Sequence, residues 1–323
     1  MYKSLKIERF LLLALALLLG ACARSPVLPP ETSRLPERVE LTSVPFFPQT
    51  AYQCGPAALA TMLNQRGVVT SPGLLKDRVF IPEREGSLQV EMVATARAHD
   101  MLVYPLPPRL EALLAEVAAG NPVLVLQNLA FDWYPRWHFA VVVGYDQRER
   151  TLILRSGTTR RWQSDFTSFD STWARGGRWA VLTLPADKLP AQPELRPWLK
   201  AASDLEETGH IEAAQRAYRT ATLHWPEESL GWFALANSHY ARGDTREAET
   251  ALRKSLAQEP DFAVGWFNLS QVLGERGCQQ SAKQALVCAQ RLAPDEKRFA
   301  VSAGQALVAS GQCALPPACP LAN

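Results

Sequence analysis

The chain has 323 residues, 47% of them hydrophobic and 20% charged, a length and composition that fit two globular domains, each with an apolar core. Its 34 basic and 32 acidic side chains leave a formal net charge of +2. No basic stripe interleaves with aromatic residues, so nucleic acid is excluded as a partner.

Lys3, Lys6 and Arg9 lie before and at the edge of an uncharged apolar run at 10–19, the basic and apolar regions of an export signal. The run is shorter than the roughly 20 apolar residues a transmembrane helix needs. It ends in Leu19-Gly20-Ala21-Cys22, which resembles a bacterial lipobox. The resemblance implies a signal peptide at 1–21, cleavage before Cys22, and lipidation of Cys22 as a membrane anchor. Ala23, rather than Asp, implies the outer membrane, facing the periplasm. Pro26, Pro29, Pro30 and Pro36 give 22–40 the composition of an extended tether.

From 41 to about 188 the pattern is α+β. Helical patterns at 54–66, 87–99 and 108–119 come first. Short β-branched runs follow at 122–127, 138–145, 151–155 and 179–184, separated by turn signals. Helices followed by such strands predict an antiparallel sheet in an α+β domain.

A Pro-rich linker at 189–197 leads into a repeat. Pro226, Pro260 and Pro294 are spaced 34 residues apart, as are Gly209, Gly243 and Gly277, and Ala214, Ala248 and Ala282. Trp232 with Trp266 and Leu235 with Leu269 share the same step. This period and these residue types resemble the tetratricopeptide repeat (TPR), an all-α solenoid in which each unit buries its apolar face on its neighbours. The repeats are expected over 198–310, closed by a capping helix at about 296–310, with a Cys/Pro tail at 311–323. The resemblance implies a concave surface that binds a protein partner or substrate.

In an exported protein, Cys278, Cys288, Cys313 and Cys319 are free to form disulfides. Four cysteines allow three pairings, which the sequence leaves open. No CxxC or Cys/His metal spacing occurs, so no metal or cofactor is expected.

Cys54 begins the predicted helix at 54–66, where a helix N-terminus favours a thiolate. Gly55 allows close approach of substrate, and Pro56 suits a position that needs no backbone N–H. A thiolate nucleophile also needs a base and oxyanion donors. His138 opens the strongest strand, behind the aromatic residues Trp133, Tyr134 and Trp137, which are either packing residues or a substrate wall. His99 falls in a helix-to-strand connection. Gln49, five residues before the cysteine, is the expected oxyanion donor with the Cys54 backbone N–H, and Gln53 is its rival. If 146–150 is a turn and Tyr145 faces Thr151, residue 138 faces 158, with 156 one step away on the same face. Ser156 and Thr158 are then the candidates to orient the imidazole, whereas Asp146 lies about 26 Å along the strand.

These residues resemble the papain-like bacteriocin-processing, or double-glycine, peptidases, family thirty-nine of the cysteine peptidases. The likeness covers about 44–185 and rests on Gln49, Cys54-Gly55 and His138-Phe139-Ala140-Val141-Val142. The family pattern places Asp on the next strand, where this chain has Ser156. The resemblance implies a cysteine peptidase that cuts a peptide or isopeptide bond through Cys54, His138, Gln49 and Ser156. A catalytically weak scaffold for protein interaction is the alternative. Cell-wall amidase chemistry is a third reading, although Gln53-Cys54-Gly55 differs from the Asp-Cys-Ser usual in such enzymes.

Overall fold

The computed structural model describes residues 26–49, 53–84, 86–300 and 313–321. The expected signal peptide, Cys22 and most of the predicted capping helix lie outside them. No helix among the described residues is long and apolar enough to cross a membrane. The chain forms two compact units, one of residues up to Met92 with Pro105–Leu182, the other of Val93–Tyr104 with the residues from Thr183 onward.

The first unit is built on an antiparallel sheet. Strand β1 (Arg38–Glu40) is followed by helices α1 (Cys54–Asn64), α2 (Pro72–Val79) and α3 (Gln89–Arg97), the last running into the second unit. Strand β2 (Leu102–Pro105) comes next, largely in the second unit, and then helix α4 (Leu110–Ala118). Strands β3 (Val123–Asn128), β4 (Trp137–Asp146), β5 (Thr151–Ser156) and β6 (Thr159–Asp165) lead to helix α5 (Phe166–Arg175) and strand β7 (Ala180–Leu184). Strand order is β7-β3-β4-β5-β6, and β1 pairs with the 144–146 end of β4, beyond the stretch bonded to β3.

Helix α1 is buried from Gly55 through Leu63 and packs on β4. Leu59, Met62 and Leu63 are wholly out of water, each contributing about 1.5–3 kcal/mol of hydrophobic stabilisation. The sequence reading gave no range for β1, which falls at the end of the expected tether, nor for β2, α2, β6 and α5. Strand β6 is exposed along almost its whole length and carries no apolar alternation. Helix α5 is announced by Asp165, whose carboxylate accepts the Ser168 N–H at 2.9 Å, and it buries Phe166, Phe169 and Trp173 on one face.

Among its described residues the second unit carries six consecutive helices after β7: α6 (Leu195–Glu207), α7 (Ile211–His224), α8 (Ser229–Ala241), α9 (Thr245–Gln258), α10 (Ala263–Glu275) and α11 (Gln279–Leu292). Gly209, Gly243 and Gly277 sit in the turns inside each pair at φ 87°, 80° and 78°, where a side chain would be strained. Trp232 Nε1 donates to the Pro226 carbonyl at 2.9 Å, and Trp266 Nε1 donates to that of Pro260 at 2.7 Å. The repeated tryptophans therefore hold the prolines that close the preceding units. Arg97 Nη2 donates to Asp204 at 2.5 Å and Tyr104 Oη accepts the Glu194 N–H at 3.2 Å, which ties 93–104 to α6.

The cysteines pair as Cys278–Cys313 and Cys288–Cys319, one of the three arrangements the sequence left open. Arg253 Nη1 and Nη2 donate to the carbonyls of Leu315 and Ala314 at 2.7 and 3.0 Å, so the tail lies back along the repeats.

Candidate active site

A cleft of about 940 Å³ in the first unit is lined by Gln49, Cys54, Ser87, Arg136, Trp137 and His138, among others. The sequence placed Gln49, Cys54 and His138 together, and the fold brings all three to this one surface. Gln53 stands at the position before α1, its side chain making no capping hydrogen bond, and is not among the lining residues. His99 belongs to the segment that packs with the repeats.

Cys54 is the first residue of α1, so its own N–H and that of Gly55 lack partners within the helix. Both turn toward the thiol, and the Phe139 backbone N–H on β4 does the same, placing the sulfur beside the strand that carries His138. The protonation state departs from expectation. Burial pushes the Cys54 thiol up from its ordinary value, and the three N–H groups only partly oppose it. A helix N-terminus favours the thiolate, but here removal of the sulfur from water outweighs it.

His138 is driven the other way, down to about 4, chiefly by burial and then by the positive charge of Arg136. Its Nε2 shares a 2.8 Å hydrogen bond with Ser156 Oγ; in the tautomer in which Nε2–H donates to that hydroxyl, Nδ1 is the nitrogen able to take up a proton. In the free protein, thiol and imidazole are both neutral and proton transfer between them is uphill. Ser156 orients the ring without bringing the negative charge that would hold an imidazolium.

The route by which Ser156 reaches His138 differs from the expected one. Asp146 pairs with Thr151 and Tyr145 with Leu152, one step from the predicted pairing. A bulge between Val142 and Gly144 then restores it, so Val142 faces Leu154 and Val141 faces Arg155. The two shifts cancel before the chain reaches the site. The Gly157 carbonyl, in the turn after Ser156, accepts the Gln49 N–H at 3.1 Å, joining the proposed donor and orienting residues through one backbone bond. Arg155, 4% exposed, donates to the Val44 carbonyl at 3.2 Å and to that of Leu41 at 3.4 Å. It thereby fixes the segment that leads to Gln49.

Three residues of the site, Ser87, Asn128 and Arg136, were not read from the sequence, and Ser87 gives Gly55 a packing role. A Cβ on Gly55 would lie 2.2 Å from Ser87 Oγ and 2.5 Å from its Cβ, so this glycine serves close packing of 86–88 against the start of α1. Asn128, 1% exposed, shapes the aromatic loop. Its Oδ1 accepts the N–H groups of Ala130 and Arg136 at 3.0 and 2.9 Å, and its Nδ2 donates to the Phe131 carbonyl at 3.2 Å. Arg136 is the third. An asparagine ending a strand before a seven-residue aromatic stretch was the available signal for this loop. Trp133, Tyr134 and Trp137 are 81%, 70% and 53% exposed and so lie outside the core; Trp133 packs within the loop, its ring 5.5 Å from that of Phe131, while Tyr134 and Trp137 line the cleft. Among the described residues no cluster of three or more His, Cys, Asp or Glu side chains is placed to hold a metal ion.

Residues 41–181 match the Peptidase_C39 like family, and residues 199–261 and 233–282 match the tetratricopeptide repeat. No curated protein matches the chain. Among solved structures, similarity extends to a C39-like peptidase from Bacillus anthracis at 19% identity and TM-score 0.39, over 46% of this chain and 98% of that one. A double glycine motif protease from an AMS/PCAT transporter, solved with its leader peptide, is similar at 17% identity and TM-score 0.33, over 44% of this chain and 91% of that one. The Yersinia enterocolitica type III secretion chaperone SycD, solved with a peptide of the translocator YopD, is similar at 18% identity and TM-score 0.31, over 33% and 81% of the two chains. The chain thus carries a C39-like peptidase domain, with tetratricopeptide repeats after it.

Proposed function

We propose that the chain is a cysteine peptidase of the bacterial envelope, anchored through a lipid on Cys22 in the outer membrane and facing the periplasm. The observation that carries the reading is the common cleft of Cys54, His138 and Gln49, with Ser156 Oγ 2.8 Å from His138 Nε2. Cys54 Sγ attacks the carbonyl carbon of a peptide or isopeptide bond while His138 Nδ1 takes the thiol proton. The Cys54 N–H and the Gln49 side-chain amide receive the oxyanion. His138 returns its proton to the leaving amine, and water then cleaves the thioester and restores the thiol.

The repeats recruit the substrate or a partner protein. A groove of about 190 Å³ among α8, α9 and α10 is lined by Tyr240, Phe267 and Gln271 beside an amide pair, Asn268 Nδ2 donating to Asn237 Oδ1 at 2.8 Å. That mix of apolar surface and amides suits a peptide segment.

The test is peptide-resolved mass spectrometry of Cys54 labelling by iodoacetamide in the full chain, with His138→Ala alongside. Labelling that slows without His138 supports the peptidase. Slow labelling indifferent to His138 supports a second reading, a peptidase-fold scaffold for protein interaction, which the hydroxyl at 156 favours. Lipidation is tested separately, by palmitate incorporation that is lost in Cys22→Ala.

A further inference from the structure

Among the described residues lining the cleft, Arg136 alone carries a formal charge at neutral pH. It is exposed, and its guanidinium has no hydrogen-bond or ion-pair partner among the described residues. Its backbone is nonetheless held firmly: its N–H donates to the buried Asn128 at 2.9 Å, and its carbonyl accepts the Leu129 N–H at 2.9 Å. A long cation with no partner of its own, carried on a fixed backbone at an open cleft, is free to meet an anion there. Trp137 follows it, Tyr134 stands two residues before it, and both line the same cleft, so the anion it meets sits beside aromatic surface. A guanidinium matches a carboxylate in shape and can bind it through two parallel N–H bonds.

We infer that Arg136 is the specificity-determining residue of the cleft and binds a carboxylate of the peptide substrate, either an acidic side chain or a free C-terminus, next to the bond that Cys54 attacks. The inference rests on the cysteine peptidase reading for the meaning of that carboxylate, but not for its binding. A bound carboxylate also offsets the Arg136 charge that disfavours protonated His138. It supplies from the substrate part of the negative charge that Ser156 does not bring.

The experiment uses the full chain and follows Cys54 alone by peptide mass. Labelling rates with anionic iodoacetate and neutral iodoacetamide are compared in the parent protein, Arg136→Gln and Arg136→Lys. The iodoacetate to iodoacetamide ratio is expected to fall about fivefold in Arg136→Gln, the upper range for an exposed ion pair, and to be largely kept in Arg136→Lys. Taking the ratio cancels any change in the reactivity of the thiol itself. Three peptides then compete with iodoacetamide: Ala-Phe-Glu-Ala amide, Ala-Phe-Gln-Ala amide, and Ala-Phe-Gln-Ala with a free C-terminus. Better protection by the first points to a side-chain carboxylate, and by the third to a chain end, each lost in Arg136→Gln.

A ratio that does not change across the variants, or equal protection by all three peptides, overturns the inference. Labelling indifferent to His138, with a ratio that still falls in Arg136→Gln, sinks the peptidase reading and leaves the carboxylate site standing.

Discussion

His138 Nε2 and Ser156 Oγ lie 2.8 Å apart, so the imidazole's side-chain partner is a hydroxyl and not a carboxylate. A hydroxyl aligns the ring but stabilises its charged form weakly. Ser156→Asp places a negative charge within hydrogen-bond reach of the imidazole and is expected to raise the His138 pKa from about 4 by about 1–3. Iodoacetamide labelling of Cys54 near neutral pH should become roughly tenfold faster, while Ser156→Ala slows it. A histidine proton NMR titration reads the pKa directly. An Asp variant whose His138 still titrates near 4 would show that burial governs the ring regardless of its partner.

The same burial couples His138 to stability. Its pKa is about 4 in the folded chain against an ordinary value of 6.5. Between those values the unfolded chain binds more protons, so stability rises with pH across that window and is lost as pH falls through it. Taken over the whole window, the loss amounts to about 3 kcal/mol from this one ring. Urea unfolding at pH 4.5 and 7, followed by tryptophan fluorescence, should show a smaller acid loss in His138→Gln than in the parent. Equal losses in the two proteins would contradict the buried, neutral state assigned to this ring.

The order Gln49, Cys54-Gly55, His138 was legible because each residue sits where local structure announces itself: at a helix start, at a strand start, or in the segment before the helix. The 34-residue period exposed the repeats for a related reason, since the same contacts recur in every unit. Trp232 and Trp266 meet Pro226 and Pro260 in one geometry. The bulge at Val142 and Gly144 was not legible, because it depends on Gly144 lying so close to β1 that a Cβ there would be 2.7 Å from the Val39 carbonyl. That contact spans about a hundred residues of chain. The protonation states were hidden likewise, since burial of the thiol depends on residues far from Cys54 in the chain, among them Phe139 on β4, whose N–H reaches it.

Gly55 offers a test of that packing. An alanine methyl there collides with Ser87 Oγ and Cβ, and the Cβ cannot swing away as the end of a flexible side chain would. Gly55→Ala should cost about 1–3 kcal/mol of stability in the first unit, and should change Cys54 labelling by moving the start of α1. Gly55→Ala combined with Ser87→Gly removes both colliding atoms and is expected to recover most of the loss. If the double variant is no more stable than the single one, the contact with Ser87 is not what requires glycine at 55.

The two disulfides make their own prediction about the repeats. Cys278–Cys313 and Cys288–Cys319 join cysteines 35 and 31 residues apart in the sequence, and loops of that size typically add about 2–4 kcal/mol per bridge by restricting the unfolded chain. Both bridges fasten the tail to α11 and its approach, and Arg253 supports that tail only through backbone carbonyls. Cys313→Ser with Cys319→Ser should therefore lower the thermal midpoint of the repeats and expose 313–321 to protease, while leaving Cys54 labelling at its parent rate. Differential scanning calorimetry and limited proteolysis measure the first two effects, and iodoacetamide labelling measures the third. An unchanged midpoint would mean that the last helix pair holds itself together by packing alone, with the bridges anchoring only the tail.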